Sequence, residues 1–114
     1  MIEVEIRVKV VSVANIRMHW AVKARLAKSH RAAAKKALEA VARSPGVGGL
    51  PLTIVVTRVA PRRLDGDNLQ SGLKAVRDGV ADWLGIDDGD QRLDWQYAQR
   101  AAGPKQYWVE VEIV

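Results

Sequence analysis

Eight aspartates stand between Asp65 and Asp94, and the chain has no Asp outside that window. They include two tight groups, Asp65-Gly66-Asp67-Asn68 and Asp87-Asp88-Gly89-Asp90. A surface that only needs solvation mixes in Glu, the better helix former. Eight Asp without one Glu in the same stretch points to short carboxylates chosen for turns, caps or metal ligation. Carboxylates packed closely repel, by about 4 kcal/mol at roughly 4 Å and an effective dielectric of about 20. A cation relieves that repulsion. Mg²⁺ suits such donors, being held by one or two carboxylates with water and phosphate oxygens completing an octahedron. A bound Mg²⁺ lowers the pKa of a water and neutralises charge on a phosphodiester. An EF-hand does not fit: counting from Asp65, Leu69 falls at the fifth position and Val76 at the twelfth, where oxygen ligands are required.

The same residues have plainer uses. Asp67 with Gln70 three positions on would form a capping box, and Asp65 would serve as a turn residue. Asp87-Asp88-Gly89 reads equally as a type I turn. Lys74 could stabilise a pentacovalent transition state, or simply pair with Asp78 one helical turn away. His19 and His30 are the two candidate general bases, with no spacing that demands catalysis of either. Arg62 and Arg63, just before the first acidic group, are expected to clamp phosphates.

The charge is distributed unevenly. Lys and Arg number 18 against 13 Asp and Glu, a net +5. Between Arg17 and Arg43 stand eight basic residues (Arg17, Lys23, Arg25, Lys28, Arg31, Lys35, Lys36, Arg43) against one acid, Glu39, a net of +7. Between Asp65 and Asp94, eight acids face Lys74, Arg77 and Arg92, a net of −5. Positive charges crowded on one helix repel one another, so a polyanionic partner is favoured, with Arg17, Lys23, Arg25, Lys28, Arg31 and Lys35 as its contacts. A basic half beside a compact acidic half is what a metal-dependent enzyme acting on a polyanion needs.

These groups must be positioned by regular elements. Residues 2–13 alternate apolar and charged, predicting a half-buried strand. Trp20 to about Ala42 lacks Gly and Pro and reads as a long helix, closed off by Ser44-Pro45-Gly46. Leu52–Ala60 is a β-branched run that predicts a strand covered on both faces. Asp67–Leu84 reads as a second helix with Gly85 as its stop. Its apolar stripe is Leu69, Leu73, Val76, Val80 and Trp83. Residues 91–101 and 105–114 are two strands, expected to form a hairpin through Gly103-Pro104-Lys105. Trp95, Tyr97, Tyr107 and Trp108 alternate there as core or dimer contacts. The order β-α-β-α-β-β predicts one α+β domain over 1–114, an α/β sandwich with a mixed sheet and two long helices.

A chain of 114 residues, 48% hydrophobic, supports its own core without staples. The absence of Cys excludes disulfide frameworks and thiol catalysis. No apolar run approaches the roughly 20 residues of a membrane span. The N-terminus does not read as a signal peptide, so the expected compartment is the cytoplasm.

The run Arg62-Arg63-Leu64-Asp65-Gly66-Asp67-Asn68-Leu69-Gln70, then Lys74 and Asp78, then Gly85-Ile86-Asp87-Asp88, resembles the core of the RusA-like Holliday junction resolvases. The segment Asn15 to Trp20 is similar to that family's Asn-containing segment before its first helix. The resemblance implies a small homodimeric, Mg²⁺-dependent endonuclease of branched DNA such as a four-way junction, serving DNA recombination and repair and often encoded by phages and prophages. It implies Asp65, Asp67 and Asp88 as catalytic metal ligands, with Asp90 competing with Asp88 for the third place. The family usually has Lys four residues after the second Asp; Ser71 stands there, and Lys74 follows three positions later. A non-catalytic nucleic-acid-binding dimer, whose aspartates only cap and turn, is the alternative. A Mg²⁺-dependent hydrolase of a small phosphate compound fits the broad basic helix less well.

An unbroken helix over Asp67–Leu84 would span about 27 Å, too far for one chain to bring Asp65, Asp67 and Asp88 to one ion. Either the helix breaks at Gly72 or Gly79, or the site is composite across a dimer. Gly72, Ala75 and Gly79 are expected to form a small-residue edge for a partner backbone.

Overall fold

The computed structural model describes residues 1–11 and 19–114. Its elements are β1 (Ile2–Ile6), α1 (Trp20–Val41), a 3₁₀ turn (Val47–Gly49), β2 (Leu52–Ala60), α2 (Gly66–Leu84), β3 (Leu93–Ala101) and β4 (Trp108–Ile113). The four strands form one mixed sheet in the order β1-β4-β2-β3. β2 pairs parallel with β3 and antiparallel with β4, and β1 closes the other edge antiparallel to β4. The chain is therefore an α+β domain with the β-α-β-α-β-β order expected from its hydrophobic periods. Among the described residues no helix is long and apolar enough to cross a membrane.

The last two strands do not form a hairpin, because β2 lies between them. Gly103-Pro104-Lys105 does turn the chain, with Lys105 at φ 61 and Gln106 N donating to Gly103 O. That turn carries the chain across the end of β2. Leu52–Ala60 is the most apolar strand, so it occupies the centre and takes a neighbour on each side. The sequence reveals strands by their alternation but not which edges meet.

β1 stops at Ile6, short of the expected 2–13. Its one neighbour among the described residues, β4, is six residues long, and the Ile6↔Val109 pair nearly exhausts it. Val8 and Val10 remain buried all the same. Val8 N donates to Ile6 O, and Val10 O accepts from the Arg58 guanidinium. These backbone groups find partners off the ladder.

Both helices cover one face of the sheet. Ile54, Val56, Val109, Val111 and Ile113 pack there against Ala34 and Leu38 of α1 and Leu69, Leu73, Val76 and Val80 of α2. The other face of β2 is open at Val55 and Thr57, contrary to the expectation that both faces were covered, although Val59 further along that face is buried. Val55 and Thr57 floor a groove of about 380 Å³ rimmed by Glu3, Glu5, Glu110 and Glu112. Glu3 stands directly opposite Glu112, and Glu5 opposite Glu110. Like charges so placed are unfavourable. Arg7 relieves Glu5 at 3.4 Å, and Arg100 forks onto both oxygens of Glu110.

α1 and α2 run parallel. Lys23 and Leu26 line one small cavity with Ser71 and Lys74, Arg31 reaches Asp82, and Ala42 O accepts from Trp83 Nε1. The contact is close because of Gly79. A Cβ there would collide with the Arg31 carbonyl and lie 2.7 Å from Ala34 Cβ. A Cβ at Gly72 would lie 2.9 Å from Val10 Cγ1. The small-residue edge thus receives this chain's own α1 and Val10, where a partner backbone had been expected. The helix is continuous through both glycines.

Candidate functional site

α2 starts one step earlier than its sequence indicates. Asp65, with extended backbone, is the N-cap, and its Oδ1 accepts from Asn68 N at 3.1 Å. Asp67 is therefore not the cap of a box with Gln70. It lies in the first turn, where the helix dipole favours negative charge. The N-cap needs a side-chain oxygen three residues before a free amide, and Asp65 meets that while Gly66 tolerates the first helical position. Gly85 ends the helix as expected, at φ 70 with its N–H donating to Ala81 O.

The loop that carries Asp65 is held from below. Gln99 of β3 bonds Leu64 twice, Nε2 to the carbonyl at 2.7 Å and Oε1 from the amide at 2.8 Å. Arg58 of β2 donates to Arg62 O at 2.6 Å and to Val10 O at 2.9 Å. Arg58 is only 5% exposed and has no carboxylate partner among the described residues. Burial lowers its pKa. With the backbone so fixed, Arg62 and Arg63 are exposed on the loop that leads into the exposed Asp65 and Asp67. Neither Arg62, Arg63 nor Asp67 makes an ion pair among the described residues.

The second acidic group is built differently. Asp88 Oδ2 accepts from Lys74 Nζ at 3.0 Å and from Arg77 Nε at 2.9 Å. Its carbonyl accepts from Arg77 Nη2 and from Trp95 Nε1. Arg77 also donates to Tyr97 Oη at 2.9 Å and lies 4.7 Å from the centre of the Trp95 ring. The turn after α2 therefore folds back against the middle of the helix. The Lys74 hydrogen bond, with the charges of Lys74 and Arg77, holds the Asp88 carboxyl below its ordinary range. Lys74 pairs with Asp78 as well, and these partners raise its pKa. Asp87 Oδ1 accepts from Gly89 N, and Asp90 N donates to Asp87 O, so the expected turn is present. Asp90 is forked by Arg92, which lowers its pKa to about 2.

The site residues thus fall into two clusters, Asp65 with Asp67 at the start of α2, and Lys74, Asp78 and Asp88 at its middle. Lys74 stands seven positions after Asp67, about 10 Å along the axis. Among the described residues, no three Asp, Glu or His side chains sit where they could share one metal ion. Asp65 and Asp67 by themselves fit Mg²⁺, which needs only one or two carboxylates when water and phosphate supply the rest. Asp65 Oδ2 carries no hydrogen bond among the described residues, and Asp67 carries none on either oxygen.

The basic side chains divide as well. Lys23, Arg25, Lys28, Lys35 and Lys36 are exposed on α1. Arg31 is committed to Asp82 through two bonds of 2.6 and 2.7 Å, and it links the helices. Arg17 lies outside the described residues. His19 caps α1, its Nδ1 accepting from Ala21 N. His30 is buried between the helices, and burial lowers its pKa. The helix layer is cationic and the open sheet face is acidic, so a polyanion meets attraction on the helix side alone.

Arg58, Arg77 and Gln99 went unassigned from sequence. Arg58 has a signal, a charged residue at an inward position of an apolar strand. Arg77 and Gln99 have none, since their roles depend on β3 lying beside β2.

No family model matches the chain, and no solved structure does. Among curated proteins, an uncharacterized protein of Xylella fastidiosa (strain Temecula1 / ATCC 700964) is 37% identical over 82 residues. That match takes in 65% of this chain and 51% of the other, so the chain spans about half the length of the curated relative it matches.

Proposed function

We propose that this chain is a Mg²⁺-dependent endonuclease that hydrolyses phosphodiester bonds in branched DNA and acts as a homodimer. One observation carries the reading: two exposed carboxylates, Asp65 and Asp67, share a braced loop and helix start, with Arg62 and Arg63, unpaired among the described residues, just before them in the chain. Carboxylates left without cations next to arginines left without anions form an arrangement that a metal–phosphate pair would complete. Asp65 and Asp67 would hold the Mg²⁺, which when bound supplies an acidified water and neutralises phosphodiester charge. Arg62 and Arg63 grip the flanking phosphates. Lys23, Arg25, Lys28 and Lys35 bind the backbone further along. Lys74 is kept protonated by Asp78 and Asp88, as a cation that stabilises developing charge requires. In a two-fold dimer, the second acidic cluster of one subunit meets the first of its partner, giving two equivalent sites for symmetric cutting.

The test is cleavage of a synthetic four-way junction with Mg²⁺ and with EDTA. Cutting with Mg²⁺ and none with EDTA supports the reading; junction binding without cutting at any divalent concentration overturns it. That second outcome is what a non-catalytic nucleic-acid-binding dimer gives. Asp78, Asp82, Asp88 and Asp90, all tied up in ion pairs, favour that alternative.

A further inference from the structure

Trp20, the first residue of α1, is 75% exposed. It lies five helical turns before Leu38, on the same line of the helix, yet Leu38 is completely buried. Trp20 therefore continues the inner line of α1 beyond the body that covers its other end. Its ring is accompanied by the His19 ring, with centroids 5.5 Å apart.

The parallel packing of the helices sets where this ring stands. Lys23 and Ser71 line one cavity, Trp20 is about one turn before Lys23, and Asp67 is about one turn before Ser71. Trp20 is thus at the same end of the molecule as Asp65 and Asp67. The solvent face of the same helix carries Arg25, Lys28, Lys35 and Lys36, with no acid in the first turn.

We infer that Trp20 is a stacking platform for an unpaired base of DNA, at the carboxylate end of the α1 cationic track. The inference rests on the nucleic-acid reading above and narrows its substrate to DNA with bases out of the duplex near the site. Cations that follow a backbone, combined with an exposed aromatic ring, form the pairing by which proteins hold single strands. A paired duplex offers no free base face to the ring and engages only the cations.

The experiment measures binding in EDTA, so it is independent of cleavage. Wild type, Trp20→Ala, Trp20→Phe and a Lys28→Ala/Lys35→Ala double variant are titrated with an oligothymidine and with a fully paired hairpin. Trp20→Ala should weaken oligothymidine binding about 5- to 150-fold and leave hairpin binding unchanged, and Trp20→Phe should restore most of the loss. The double variant should weaken both. Oligothymidine should also shield the wild-type fluorescence fraction that iodide quenches and that Trp20→Phe removes. Equal loss on both ligands, or no loss, overturns the stacking role and leaves the nucleic-acid reading standing. A change of oligomeric state in Trp20→Ala, by sedimentation, assigns the ring to a protein contact and overturns it. No binding of either DNA by wild type overturns both.

Discussion

Lys74 Nζ lies 3.0 Å from Asp88 Oδ2, across fourteen residues of sequence. This contact, together with Arg77, fastens the acidic turn to the middle of α2 and makes Asp88 the centre of an ion-pair network. Asp67 has no such partner among the described residues. These two aspartates, both candidate metal ligands by sequence, are thus unlike in environment, and substitution should separate them.

Asp67→Asn should abolish Mg²⁺-dependent cleavage, leave circular dichroism unchanged and lower melting only slightly: no hydrogen bond or ion pair among the described residues uses that carboxylate, and only its attraction to the helix dipole, about 0.3–1 kcal/mol, is lost. Asp65→Ala should cost about 0.5–2 kcal/mol through the lost cap, whereas Asp65→Asn keeps the cap and loses only activity. Mixing Asp67→Asn with Asp88→Asn subunits tests the composite site. Exchanged heterodimers should nick a junction that neither parent cuts, and a mixture that stays inactive after proven exchange refutes it.

Acid should loosen the structure through the paired aspartates. Asp82 and Asp88 titrate below their ordinary value of 3.8, and Asp90 is lowered to about 2. A depressed folded-state pKa contributes stability that is full above the unfolded value and lost as pH falls through the folded one. Urea midpoints should therefore fall from about pH 4 towards pH 2. Asp88→Asn should flatten that slope, and an unchanged slope would show that the network does not form in solution.

Gly79→Ala should destabilise the protein by about 1–3 kcal/mol in urea, even though an exposed helical glycine would gain close to 1 kcal/mol from the same change. The added methyl meets the Arg31 carbonyl and Ala34. Gly72→Ala should cost less, because its nearest neighbour, Val10 Cγ1, lies 2.9 Å from the added methyl, whereas at Gly79 the methyl meets the Arg31 backbone carbonyl itself.

Salt should weaken DNA binding steeply, with about 0.9 log units per phosphate contact per decade on a duplex. Replacing Lys28 or Lys35 by Ala should each lower that slope. Arg31→Ala should lower the melting temperature and leave the slope nearly unchanged, since its guanidinium is already held by Asp82.

Much of the fold was legible because its signals are local. The 3.6-residue stripe of α2, the unbroken α1 and the β-branched β2 each report a pattern of burial that one element carries within itself. Gly85 as the stop of α2 is equally local. The candidate site was half legible for the same reason. Asp65 and Asp67 sit on one loop and one helix turn, and Arg62 and Arg63 directly precede them, so spacing alone brings these residues together.

What tertiary structure decided were the pairings between elements. The amino-acid sequence specifies where strands form, but hydrogen-bond ladders are chosen by competition for the most apolar strand. β2 consequently lies between β3 and β4 where a local hairpin had been expected. That placement brings Gln99 beneath the Asp65 loop, and Trp95 and Tyr97 against Arg77. It commits Asp88 to an ion-pair network that no spacing along the chain encodes. Capping went the same way: Asp65 and Asp67 are both competent caps by residue type, and the braced loop before α2 admits only Asp65. The sequence by itself determined the elements and the charge each one carries. Packing decided which of those charges are spent on one another and which stay available to a ligand.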